Sequence, residues 1–189
     1  QFHPEALATA GDSISARFFY FLVQKAATYR HAKEIHRRIL SLDTHTDTPL
    51  DFDVSYNIGT REKTQVCLPK MREGKLDGQY LACWVRQGPC DEENSLKAID
   101  RVDELIRHIY RQVEMNGEQC AIARTPDDLS RLKTEGKKAF YIGIENGYGI
   151  GKDLKNITRF HDAGVTYITL CHTRNNDICD SSSDTTARW

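Results

Sequence analysis

Apolar and polar positions along this chain alternate between a helical period and an extended one. From Asp12 to Leu40, Phe18, Phe19, Leu22, Ala26 and Tyr29 recur at helical spacing with Asp12 or Ser13 as cap, which predicts one helix or two in succession. Its second half, YRHAKEIHRRIL, is polar on most faces and reads as surface. The pattern turns extended at ILSLDTHTD, an apolar run ending in polar residues, as in a buried strand that delivers side chains to a site. CLPKMREGKLDG follows as a short helix or turn, and QYLACWV predicts a second buried strand. Leu96, Ile99, Val102, Leu105, Ile106 and Ile109 make one stripe on a helix that stops at Asn116-Gly117. RTPDDLSRLKTEGK predicts a shorter helix with Thr125 as N-cap and Pro126 at its first position. KAFYIGIENG is the third strand, DLKNITRFHDAG a helix, and VTYITLCHT the fourth strand.

Buried strands alternating with helices imply βαβ units on a parallel sheet, hence a barrel or a doubly wound fold. Residues 1–40 form a helical segment and 41–189 the α/β domain, with no internal repeat. The chain has 189 residues, 39% of them hydrophobic, which suits a globular domain with a real core. Lys plus Arg total 26 against 27 for Asp plus Glu, so there is no basic field to hold nucleic acid, and no apolar run is long enough to span a bilayer. The six cysteines form no C-x-x-C pair. Cys83 and Cys171 lie in strand-like runs and read as small buried hydrophobes, whereas Cys67, Cys90, Cys120 and Cys179 lie near loops or element ends, where an oxidising compartment permits pairing.

Side chains two apart on a strand share a face, so His45 and Asp47 can aim an imidazole and a carboxylate at one point, as a divalent metal requires. Asp43 shares that face as a residue that orients His45, while Thr44, Thr46 and Thr48 take the other. A lone H-x-D also describes a hydrogen-bonded loop histidine. The third strand adds weight: Glu145 is its only ionisable group after an apolar run, and a carboxylate there needs a cation or donors. The fourth strand is apolar until His172. His45, Asp47, Glu145 and His172 therefore gather at the C-terminal ends of parallel strands, where such folds place active sites.

These segments resemble a known family, the membrane (renal-type) dipeptidases or M19 metallopeptidases. LDTHTDTP is similar to its first-strand motif D-x-H-x-D-x-P. LPKMREGKLDGQYLACWV resembles its L-P-x-x-R-x-G-x-x-x-x-Q-x-x segment, and IGIENGYGIGKDLKNITRFHDAGVTYITLCHTRNND its I-G-x-E-G stretch, the following helix and a G-x-R-Y-x-x-L-T-H strand. The resemblance implies a (β/α)8 TIM-barrel metallohydrolase with two zinc ions that cleaves dipeptides, including those with a C-terminal D-residue. Residue by residue it implies that His45 and Asp47 are ligands of the first zinc. Glu145 is the bridging carboxylate, and His172 contacts substrate near the scissile carbonyl. Asn146 departs from the family's usual Gly, and Arg174 and Asn175 occupy variable positions, which bears on substrate preference.

In that family the second zinc's histidines lie beyond the positions matched here, and a barrel of this type takes about 250 residues. The chain is therefore expected to be the first half of the barrel, the rest lying in the same polypeptide or in a companion chain. A related binuclear hydrolase of another amide or lactone, or an inactive binding protein on the same barrel, are the alternatives. The family also implies a homodimer. A removed leader before Gln1 implies a periplasmic or secreted protein, with the cytoplasm as alternative.

The remaining candidates read as structural. His3, His31, His36, His108 and His161 fall on helices or the N-terminal tail. Gly143, Gly147, Gly149 and Gly151 fit no phosphate-loop spacing and are expected to permit a tight strand-to-helix turn, with Asp153 as N-cap. The sequon at Asn156 lies in a predicted helix, and Trp84 either lines the site or packs.

Overall fold

The computed structural model describes residues 13–60 and 62–187, with the backbone alone for residues 13–19. The His3 and Asp12 assignments and Trp189 lie outside the described residues, as do the side chains of Phe18 and Phe19. The chain divides into two compact units, Gln1–Leu40 and Ser41–Trp189. The first holds helix α1 (Ser13–Arg38), whose last turn carries Arg37 and Arg38, cations suited to the negative end of the helix dipole.

The second unit is a parallel α/β layer. Its order is β1 (Leu42–Asp43), α2 (Leu68–Gly74), β2 (Gly78–Trp84), α3 (Glu92–Met115), β3 (Cys120–Ile122), α4 (Pro126–Thr134), β4 (Lys138–Glu145), α5 (Lys155–Asp162) and β5 (Val165–Ile168). β4 is central. It pairs with β2 along one edge, from Gly78 opposite Ala139 to Trp84 opposite Glu145. Along the other edge β3 takes Lys138–Phe140 and β5 takes Ile142–Ile144. All these pairings are parallel. Without β3, the order β1, β2, β4, β5 is the sequential neighbour order of a (β/α)8 barrel.

Alternation on β4 decides which side chains meet the helices. Phe140, Ile142 and Ile144 join Val102, Leu105, Ile109 and Phe160 in the main core. Ala139 and Tyr141 face the other way, and by the same period of two so do Gly143 and Glu145. Tyr80 of β2 lies on this second face, stacked on Tyr141 at 4.8 Å and tilted against Tyr167 at 5.0 Å. Gly143 is what admits Tyr167, since a Cβ there would lie 2.2 Å from the ring.

The ends of the elements follow local chemistry. Thr125 caps α4, its hydroxyl accepting from the Asp128 amide while the Asp128 carboxylate accepts from the Thr125 amide, with Pro126 at the first turn. Asp91 caps α3 through the Asn94 amide. The start of β1 is fastened by Asp77, whose Oδ2 accepts from the Ser41 amide and hydroxyl, both at 3.0 Å, and from Lys133 Nζ at 2.8 Å.

Several expectations are corrected. The first strand is only Leu42–Asp43, because the ladder to β2 stops at Gln79. β3 was not foreseen: three residues carry no period of their own. Leu96 is 56% exposed and leaves the α3 stripe, whose buried positions run from Ser95 to Gln112. β5 ends at Ile168, so Cys171 is a half-buried loop residue rather than a strand one, while Cys67 and Cys120 are buried. Gly143 lies within β4, not in the turn. Asp153 precedes α5 and accepts from the Lys155 amide at 2.9 Å, but the N-cap position is Leu154. The Asn156 sequon is in α5, its amide donating to the Ile150 carbonyl. Among the described residues no helix is long and apolar enough to cross a membrane.

Candidate active site

Past β1 the ladder stops and Thr44 is exposed, and Asp47, at φ −84° and ψ 6°, leads into a short 3-10 turn from Thr48 to Asp51. Buried and exposed side chains nevertheless alternate from His45 to Thr48. Thr46 and Thr48 are buried and share a hydroxyl hydrogen bond of 2.8 Å, and the Thr46 carbonyl accepts from the Ala82 amide at 3.0 Å. With the threonines turned in, His45 and Asp47 turn out. The Asp43 carboxylate accepts from the His45 backbone amide at 3.0 Å, so it shapes the turn rather than orienting the imidazole.

Glu145 ends β4 on the face away from the helix-packed core. Its two oxygens divide between two histidines: Oε2 is 3.5 Å from His45 Nε2, and Oε1 is 3.4 Å from His172 Nε2. His45 Nε2 is also 3.4 Å from Asp47 Oδ1. The Glu145 side chain is only 14% exposed, against 45% for His45 and 59% for Asp47. Burial pushes its carboxyl above the ordinary range; the His45 imidazole pulls it down, the Asp47 carboxylate pushes it up, and His172 pulls it down.

His172 reaches the site from a loop, four residues beyond β5. Its carbonyl accepts from Ser181 Oγ at 2.6 Å, and Trp84 meets its ring edge-on at 6.0 Å. Trp84 thus lines the site. Trp84, Arg86, Gln87, His172, Thr173 and Arg174 wall a cavity of about 580 Å³. A second cavity of about 560 Å³ has His45 and Asp47 in its wall, with Thr64 and Gln65. Arg86 and Gln87 went unnoticed in the sequence. Their signal was position, directly after a parallel strand.

Asn146 stands at φ 82° and ψ 104°, a left-handed backbone that a glycine adopts without cost. Its side chain is fully buried: Nδ2 donates to the Val85 carbonyl at 3.1 Å, and Oδ1 accepts from the Tyr148 amide at 3.3 Å. Its departure from glycine is therefore structural, and it fixes the backbone next to Glu145.

His45, Asp47 and Glu145 each offer a ligand atom, all within 4.8 Å of one another. One imidazole nitrogen and two carboxylates, one of them largely withdrawn from water, are a donor set that fits zinc or a similar divalent cation. A cation there would relieve the repulsion between the carboxylates. His172 lies against the far oxygen of Glu145, outside this group of three.

The family model described as membrane dipeptidase, peptidase family M19, matches residues 29–188. The chain is 28% identical over 171 residues to dipeptidase ataJ of Aspergillus terreus, covering 84% of this chain and 42% of that protein. It is 24% identical over 185 residues to an uncharacterised dipeptidase of Schizosaccharomyces pombe, covering 86% and 43%. The crystal structure of the probable dipeptidase PvdM from Pseudomonas aeruginosa superposes with a TM-score of 0.72 at 30% identity, covering 81% of this chain and 40% of that one. The chain thus spans about two fifths of the length of the curated relatives it matches. The fold is a partial barrel of the kind that opens a TIM barrel, which decides against the doubly wound alternative.

Proposed function

Because the chain belongs to the membrane dipeptidase family, peptidase family M19, we propose that it carries the first half of the active site of a zinc-dependent dipeptidase. The observation that carries the reading is the division of Glu145 between His45 and His172. On this reading His45 and Asp47 hold one zinc ion and Glu145 is shared with a second, whose other ligands come from the remainder of the barrel. Bound zinc supplies positive charge that polarises a peptide carbonyl and brings a water toward ionisation near neutral pH.

The chain's own residues do the rest. Glu145, largely shielded from water, would supply negative charge to both cations and so offset their repulsion. Asp43 holds the His45 backbone, and the buried threonines keep His45 and Asp47 facing the same way. His172 Nε2 donates a hydrogen bond to the carbonyl oxygen as negative charge develops on it, a contribution of about 3 to 4 kcal/mol at a site of this kind. The edge of Trp84 restricts the ring's swing.

The test is metal content by mass spectrometry on the intact polypeptide and on Glu145→Ala, followed by a dipeptide screen. About two zinc ions per complete active site of the intact polypeptide, lost in the variant, with hydrolysis of dipeptides are expected. Protein that takes up no stoichiometric metal after reconstitution overturns the reading in favour of a binding barrel. Stoichiometric metal with hydrolysis only of another amide or a lactone would retain the metal site and replace the substrate.

A further inference from the structure

The loop after β5 doubles back on itself. Asn176 Nδ2 donates to the Leu170 carbonyl at 2.8 Å, and Asn176 Oδ1 accepts from the Cys179 amide at 3.1 Å. The Cys179 carbonyl accepts from the Asn176 amide at 3.2 Å, and Ser181 Oγ closes onto the His172 carbonyl. These bonds hold residues 170–172 alongside residues 179–181. Cys171 Sγ lies 3.5 Å from the carbonyl oxygen of Asp180, the residue bonded to Cys179. Burial and the neighbouring Cys171 side chain raise the Cys179 thiol above its ordinary value. Both residues are half-buried, so a small reagent can reach them, whereas Cys67, Cys83 and Cys120 are buried and Cys90 precedes α3 in another loop.

We infer that Cys171 and Cys179 are a dithiol site that closes to a disulfide with a low-molecular-weight disulfide such as oxidised glutathione as oxidant. One thiol, deprotonated, attacks a glutathione sulfur and expels glutathione thiolate. The other then attacks the protein sulfur of the mixed disulfide and expels the second. One protein disulfide forms, two electrons pass to the oxidised glutathione, and two glutathione thiols leave with the two thiol protons. A disulfide demands close and correctly directed Cβ atoms, and the hydrogen-bonded loop, which brings Cys171 Sγ to the carbonyl of the residue after Cys179, sets the two cysteines side by side. The crosslink would close a short ring around Arg174 and fasten the residue preceding His172. The inference is independent of the proposed activity.

The sequence supplies the assay. Trypsin cuts after Arg159, Arg174 and Arg188, which places Cys171 alone in FHDAGVTYITLCHTR and Cys179 alone in NNDICDSSSDTTAR. The folded, intact polypeptide is incubated with oxidised glutathione, its remaining thiols are alkylated, and the digest is analysed by mass spectrometry without reduction. The expected species is the two peptides joined, lighter than their sum by about two hydrogens and separated by dithiothreitol. In Cys179→Ser and, separately, in Cys171→Ser, the remaining cysteine is expected to stop at the glutathione mixed disulfide. Wild-type protein in which both peptides stay singly alkylated or singly glutathionylated, or in which Cys171 is joined to the Cys90 peptide, overturns the inference. The wild-type result decides the matter even if a serine variant folds poorly.

Discussion

Asn176 Nδ2 donates to Asn146 Oδ1 at 3.1 Å, joining two buried side chains from the loops that follow β5 and β4. One stands beside Glu145; the other organises the loop that carries His172. Asn176 also donates to the Leu170 carbonyl and accepts from the Ile178 and Cys179 amides. Asn176→Ala strands several of these groups away from water and is expected to cost about 2 to 4 kcal/mol of stability. Denaturant unfolding measures it, and a loss below half a kcal/mol would refute the role.

The partner residue separates backbone from side chain. Asn146→Ala loses the amide contacts and keeps a Cβ at φ 82°. Asn146→Gly loses the same contacts but relieves the backbone, so it is expected to be more stable than the alanine variant by about 1 kcal/mol. Equal stability of the two would show that the left-handed backbone carries no strain.

What the sequence disclosed and what it hid follow from range. Glu145 was legible because it is the ionisable end of the apolar run that forms β4, and Thr125 because its capping partners lie within one helical turn. His45 and Asp47 were legible for a reason that outlasts the strand: Thr46 and Thr48 bury themselves, so the outward pair stays paired. β3 was not legible, since Cys120–Ile122 exist as a strand only opposite Lys138–Phe140. Nor was the Asn146–Asn176 contact, which spans two loops and leaves no periodic trace. Cys171 was misread because an apolar run continued past Ile168, where the pairing with β4 ends.

The two histidines on Glu145 are expected to fail differently. On the proposed reading His45→Ala removes a metal ligand, so bound zinc and activity should fall together. His172→Ala should keep its metal and lose about 100- to 1000-fold in kcat, as when one oxyanion donor is removed. Metal content and steady-state kinetics on the same preparations distinguish them; loss of metal in the His172 variant would move that residue into the ligand set.

Gly143 tests the packing behind the site. An added methyl would meet the Tyr167 ring at 2.2 Å and push apart β4 and β5, the strands leading to Glu145 and the His172 loop. Gly143→Ala is expected to destabilise by about 1 to 3 kcal/mol. Gly143→Ala combined with Tyr167→Leu should recover part of that loss. Thermal unfolding of both variants reads the coupling, and strict additivity would show that the ring is not the obstacle.

Asp77 sets an acid limit on folding. Burial alone would push its carboxyl up, but the hydrogen bond from Lys133 and those from Ser41 outweigh it and hold the carboxyl below the ordinary value of 3.8. A carboxyl whose folded value lies below its unfolded one binds fewer protons when folded, so it stabilises the fold above the unfolded value. That contribution is lost as pH falls from about 4 through the lower folded value. Asp77→Asn leaves Lys133 facing a neutral amide and is expected to cost about 1 to 3 kcal/mol at pH 7. The difference from the parent protein should narrow steadily below about pH 4, where the native carboxyl is itself being neutralised. Urea unfolding of both proteins between neutral and acid pH measures this, and a difference that stays constant down to the acid limit would mean that the Asp77 charge contributes nothing to the join between Ser41 and α4.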